Sequence, residues 1–100
     1  MSTIVVNSTW SPSSSKMLGE IWLGMDQPPD FMKNTWAGIT GADGEGIKGL
    51  VLWQCEDNKL AEAFAFIRQD ISRYFNVPGY TYSYNVWTEP EDALKMVGLM

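Results

Sequence analysis

One hundred residues suit a single domain spanning 1–100, and 45% apolar residues with five Trp supply its core. Charged residues at 19% argue against disorder, and seven basic against twelve acidic groups leave no basic face for nucleic acid. The chain has no His, the commonest transition-metal ligand, and its lone Cys55 allows neither an intrachain disulfide nor a cysteine zinc site.

From Thr3 to Trp10 the chain is β-branched and aromatic-rich, which predicts a first strand carrying Ile4, Val5, Val6 and Trp10. Ser11-Pro12 supplies a helix start, Ser11 as cap and Pro12 at the first helical position. Leu18, Ile21, Trp22 and Met25 then share one helical face, weakened by Gly19 and Gly24, until Gln27-Pro28-Pro29-Asp30 ends the helix. Asn34 to Ala42 predicts a second strand with Trp36 and Ile39, and the turn cluster after it holds an Asp43-Gly44 pair suited to a tight hairpin. Ile47 to Glu56 is the third strand, with Val51, Trp53 and Cys55 on one face and Leu50 and Leu52 on the other. A strand apolar on both faces is central and covered twice.

Asp57 and Asn58 are placed to cap a second helix, along which Leu60, Ala63, Phe64, Ile67, Ile71 and Phe75 form an amphipathic stripe. Asn76 to Gly79 turns the chain into a fourth strand, Tyr80 to Trp87, whose Tyr80, Tyr82, Tyr84 and Val86 share a face. Thr88 with Glu91 reads as a capping box for a short last helix over Ala93 to Leu99. The order β-α-β-β-α-β-α is that of the ferredoxin-like split βαβ unit, an α+β fold with two helices on one face of a four-stranded antiparallel sheet. Its bare face is expected to carry one apolar set of the third strand together with Ile4, Val6, Ser8 and Trp10. Exposed, these make a patch of roughly several hundred square ångströms, so a homodimer joined through its sheet faces is expected.

The first ten residues lack the pattern of a signal peptide, and no apolar run reaches membrane-spanning length. The expectation is a cytoplasmic protein with no membrane or nucleic-acid partner. Gly44-Glu45-Gly46-Ile47-Lys48-Gly49 spells G-x-G-x-x-G but leads into a strand, and Glu45 would repel phosphate, so it is not a dinucleotide site. The clusters Glu56-Asp57 and Glu89-Glu91-Asp92 precede helices and read as dipole-compensating caps rather than metal ligands. No metal and no cofactor is expected.

The element order, and most sharply the segment KGLVLWQCEDNKLAEAFAFI, resembles the dimeric α/β-barrel superfamily, whose subunits pack sheet to sheet. The group includes small antibiotic-biosynthesis-type monooxygenases, haem-degrading monooxygenases and short domains of unknown function. Its haem-degrading members use an Asn late in the first strand, a Trp ending the third strand and a His beyond it. Here Asn7 stands at the first position, Cys55 at the Trp position with Trp53 one same-face step earlier, and the His is missing. The resemblance therefore implies no haem. Cofactor-free relatives instead hold an aromatic substrate with Asn, Trp and Tyr while it reacts directly with oxygen. That implies Asn7, Trp36, Trp53, Tyr82 and Tyr84 as ligand-binding candidates and leaves catalytic residues unassigned.

The same rings also serve an ordinary core, and Asn7 faces either a polar cavity or neighbouring backbone. Cys55 lacks a His to activate it and reads as a small buried hydrophobe. Two functions stay open. One is a small-molecule-binding protein acting as a cofactor-independent oxygenase on an aromatic or other small organic substrate. The other is a non-catalytic ligand-binding or assembly module whose sheet face serves dimerisation.

Overall fold

A computed structural model describes residues 1–42 and 46–100. Among them four strands, β1 (Ser2–Trp10), β2 (Met32–Ala42), β3 (Gly46–Cys55) and β4 (Thr81–Trp87), form one antiparallel sheet in the order β2-β3-β1-β4. Three helices, α1 (Ser15–Leu23), α2 (Leu60–Ser72) and α3 (Pro90–Met96), complete the chain, with short 3-10 turns leading into the first two. The protein is thus α+β, and its element order is compatible with a ferredoxin-like fold. The tight hairpin expected at Asp43-Gly44 lies outside the described residues.

Strand register decides which side chains face the helices. Ile4 pairs with Trp53, Val6 with Val51, Ser8 with Gly49 and Trp10 with Ile47. All point to the side covered by α2, where Ile4, Val6, Trp53 and Cys55 pack with Ala63, Ile67 and Ile71 into the main core. Ile4, Val6, Ser8 and Trp10 therefore do not line the bare face, as their apolar character had suggested. The open face takes the alternate set instead: Val5, Asn7, Leu50, Leu52 and, on the flanking strands, Trp36 and Trp87. Strand β3 is central, as its sequence requires, and the chain's own helices cover only one of its faces.

The α2 stripe holds through Ala63, Ile67 and Ile71 but then changes residue. The helix ends at Ser72, so the chain turns before a further four-residue step can bury Phe75, which stays 59% exposed while Tyr74 is buried. Tyr74 joins Trp10, Leu18 and Val77 in a second small core under α1.

None of the expected side-chain caps forms. Ser11 has no cap hydrogen bond, and Lys59 and Glu89 occupy the N-cap positions of α2 and α3 without one. A 3-10 turn precedes α2 and moves Asp57 away from its cap position; Asp57 instead accepts a hydrogen bond from the Ser2 hydroxyl at 2.8 Å. Among the described residues no helix is long and apolar enough to cross a membrane.

Candidate functional site

Helix α1 crosses the sheet with Gly19 facing open space between the two. A Cβ built at Gly19 meets nothing within 4 Å. Beneath lies a cavity of about 590 Å³, floored by β1 and β3 and walled by α1 and α2. Its surface is largely ring and branched aliphatic: Trp10, Trp53, Tyr80, Leu18, Ile67 and Val51. Trp22 at 40% exposure and Ile39 at 71% also line it, so it opens to solvent between α1 and β2. A volume of this order accommodates a drug-sized molecule.

Two serines, Ser8 and Ser15, and the carboxylate of Asp70 give the cavity its few polar groups. Asp70 is held in place by Arg73, which donates from Nε at 3.2 Å and from Nη2 at 2.6 Å to the same oxygen, Oδ1. The third guanidinium contact, from Nη1, reaches the carbonyl oxygen of Ile21 at 2.8 Å. This bond ties α2 to the C-terminal turn of α1, where a cation also meets the negative end of the helix dipole. It fixes the height of α1 over the sheet and hence the cavity roof. Ser15 accepts a hydrogen bond from the indole nitrogen of Trp10 at 3.1 Å, which orients that ring in the wall.

Tyr74 and Tyr80 stack at 5.3 Å beside this polar corner. Burial, followed by the Asp70 charge, pushes the Tyr74 hydroxyl up to about 12. Burial, followed by the neighbouring Tyr74, raises Tyr80 as well. Both are neutral hydroxyls across the physiological range. Among the described residues the Tyr74 hydroxyl is buried and has no hydrogen-bond partner. Cys55 is fully buried, and burial followed by the Asp57 charge pushes its thiol up, so it is no nucleophile.

The residues nominated by sequence do not share one site. Trp53 is 3% exposed and forms part of the cavity floor. Asn7 lies on the opposite face of the sheet, exposed, in a shallow groove of about 250 Å³ that it lines together with Trp36 and Leu50. No ligand of ordinary size can touch Asn7 and Trp53 together, because the sheet stands between them.

Trp36 reaches the open face through a bulge between Asn34 and Trp36. One extra residue there reverses the alternation, so Trp36 pairs with Leu52 rather than continuing the helix-facing series of Met32. The Asn34 amide spans the break, donating to the carbonyl oxygens of Trp36 at 2.9 Å and Leu52 at 2.8 Å. Gly38 then lets the Trp36 ring lie flat along its own strand, since a Cβ there would collide with it.

Tyr82 and Tyr84 do lie on the helix-facing side but outside the cavity. Tyr82 stacks on Phe75 at 5.8 Å, and the Tyr84 hydroxyl accepts a hydrogen bond from Arg68 Nε at 2.9 Å.

Sequence reasoning missed Asp70, Tyr74 and Tyr80 as cavity residues. The signal was present: Ile67, Asp70, Ile71 and Tyr74 recur three, one and three apart, which places an acid inside the apolar stripe of α2. Among the described residues no group of carboxylates and Cys55 is arranged to hold a metal ion. Compared with known proteins, the chain matches no family model, no curated protein and no solved structure.

Proposed function

We propose that this protein binds a small, largely apolar organic molecule in the cavity between α1, α2 and the sheet. The observation that supports this reading is an indole- and phenol-lined space of about 590 Å³ that the chain's own side chains leave unfilled. Apolar volume with few convergent polar groups is the usual character of a small-molecule site. In this reading the fold is ferredoxin-like, the protein is cytoplasmic, and two copies pair through the open sheet faces in the manner of the dimeric α/β barrels.

A neutral aromatic probe, N-phenyl-1-naphthylamine, tests the site directly. Trp10 and Trp53 line the cavity, so probe binding quenches their fluorescence with saturation at micromolar probe. Gly19→Phe fills the space above the sheet and is expected to weaken probe binding about tenfold or more, as a ring in the pocket costs at least about 1.4 kcal/mol of affinity. Equal quenching in wild type and Gly19→Phe, with far-UV circular dichroism unchanged, places the probe elsewhere and overturns the reading.

A second reading, cofactor-independent oxygenation of an electron-rich aromatic, is favoured by the pairing of Trp53 with Tyr80 in one cavity. It requires oxygen uptake with hydroquinones or anthrones, reduced in Gly19→Phe. Uptake at background leaves a binding protein without catalysis.

A further inference from the structure

Apolar walls explain why a molecule enters a cavity, and a few placed polar groups decide which molecule and which way round. Among the described residues that line this cavity, Asp70 alone carries a charge. Its carboxylate is satisfied on one oxygen only. Arg73 donates from Nε and from Nη2 to Oδ1, and Oδ2 accepts no hydrogen bond from the described residues. Nor is Oδ2 closed off. Among the described residues the Tyr74 hydroxyl is the one unpartnered side-chain atom sealed from solvent, so Oδ2 keeps surface that a ligand can reach.

Arg73 does not share that access. Its Nη1 donates to the Ile21 carbonyl oxygen, its guanidinium carbon stands 5.5 Å from the centroid of the Tyr74 ring, and it is not among the residues lining the cavity. The cavity therefore meets the carboxylate and not the cation that balances it.

Three kinds of ligand head group can be weighed against Oδ2. A carboxylate oxygen only accepts, whereas the hydroxyls of Ser8 and Ser15 turn to donate or accept, so Asp70 is the group that discriminates. An anionic head is repelled, with no cation turned toward it. An ammonium is attracted, but Arg73 already balances the carboxylate, so a second cation brings uncompensated charge into an apolar space. A neutral O–H or N–H donor makes a charge-assisted hydrogen bond and brings no charge with it.

We propose that the cavity takes an uncharged molecule with an apolar ring body and one alcohol or N–H donor, and that Asp70 Oδ2 receives that donor. The body then lies among Trp10, Trp53 and Leu18, and Asp70 sets its direction. This assignment of ligand class rests on the cavity reading proposed above.

A matched set of naphthalenes tests it: the 2-hydroxymethyl, 2-methyl, 2-carboxylate and protonated 2-aminomethyl derivatives at neutral pH. Each displaces N-phenyl-1-naphthylamine from the wild-type protein, with excitation where simple naphthalenes do not absorb. The alcohol is expected to bind about tenfold more tightly than the methyl compound, the effect of one charge-assisted hydrogen bond. A cavity without an acceptor ranks these two the other way, because the hydroxyl must shed its water. The ammonium is expected to bind more weakly than the alcohol, and the carboxylate at least about tenfold more weakly than the methyl compound. Asp70→Asn keeps the shape of the side chain and an oxygen for Arg73 but removes the charge. In it the lead of the alcohol is expected to fall below about threefold and the carboxylate to gain, while the methyl compound binds as before. Collapse of the cavity would instead weaken all four together.

Equal binding of the alcohol and the methyl compound to wild type, with both weakened by Gly19→Phe, overturns the role of Asp70 and leaves the cavity reading standing. An ammonium that binds most tightly makes this corner a cation site and overturns the neutral class. An unchanged order in a folded Asp70→Asn protein overturns Asp70 as the receiving group, and where that variant does not fold the wild-type order decides. Displacement indifferent to Gly19→Phe overturns the cavity reading and this assignment together.

Discussion

The two faces of this sheet are built from the same strands and almost the same residue types, yet they differ in kind. On the helix-covered face Ile4, Val6, Trp53 and Cys55 interdigitate with Ala63, Ile67 and Ile71, and packing opens into the cavity under Gly19 of α1. On the open face Trp36 and Trp87 are 53% and 60% exposed, and Leu50 and Leu52 are half-buried. Buried rings are held by partners: Trp53 meets Phe66 edge-on at 5.8 Å. Open-face rings lean along their own strand, as Trp36 does over Gly38. Apolar composition alone does not tell a core residue from a surface residue.

The sharpest way to break that contrast is to truncate one Trp on each face. Trp53→Ala removes a ring with 3% exposure from the centre of the main core and is expected to cost about 3–5 kcal/mol in urea unfolding. Trp36→Ala, measured at concentrations where the chain is monomeric, is expected to cost under about 1 kcal/mol, because its ring already contacts water. Equal losses would mean that the open face is as much a core as the covered one.

Next in size is the tether between the two covering helices. Arg73→Leu removes the hydrogen bonds to Asp70 and to the Ile21 carbonyl and leaves a half-buried carboxylate without its cation. The expected loss is about 1.5–3 kcal/mol, the scale of hydrogen bonds to charged groups. Because Arg73 sets the height of α1, the same variant is expected to weaken naphthylamine binding, whereas a surface change such as Gln69→Ala leaves both unchanged. Loss of stability with full probe affinity would show that the roof of the cavity does not depend on this tether.

The order of elements was legible because each is announced locally: β-branched strands, Pro-Pro and Gly punctuation, and the four-residue spacing of Ala63, Ile67 and Ile71. The central place of β3 followed from its two apolar faces. The faces themselves were not legible, for two physical reasons. Strand register depends on tertiary pairing, which alone decided that Ile4 rather than Val5 meets Trp53's side of the sheet. In addition, the bulge at Asn34–Trp36 shifted the alternation by one residue with no compositional marker, carrying Trp36 away from the cavity. Asn7 followed its strand to the open face for the first reason. At the end of α2, stepping by four residues nominated Phe75, but the helix had already turned, and the burial passed to Tyr74. Asp70 was readable, as an acid inside an apolar stripe, and was passed over because stripes are scored by their apolar members.

The smallest effect tests the polar corner of the covered face, and its sign is fixed by linkage. In the unfolded chain Tyr74 ionises near the ordinary value of about 10, whereas in the fold burial and the Asp70 carboxylate hold its hydroxyl up to about 12. Below pH 10 both states keep the proton, so its contribution is constant. Between pH 10 and 12 the unfolded chain releases the proton while the folded one retains it, and stability falls as pH rises. Tyr80, raised in the same direction, adds to the same decline. Tyr74→Phe removes its own share of this slope. It also deletes a buried hydroxyl that has no partner among the described residues, so at pH 7 it is expected to leave stability unchanged or to raise it by up to about 1 kcal/mol. Urea midpoints of wild type and Tyr74→Phe between pH 8 and 11 should therefore diverge as alkalinity increases, the variant falling less steeply. Parallel curves would mean that the Tyr74 hydroxyl is solvated in the native protein, and that the corner between α1 and α2 is wetter than the burial of its ring implies.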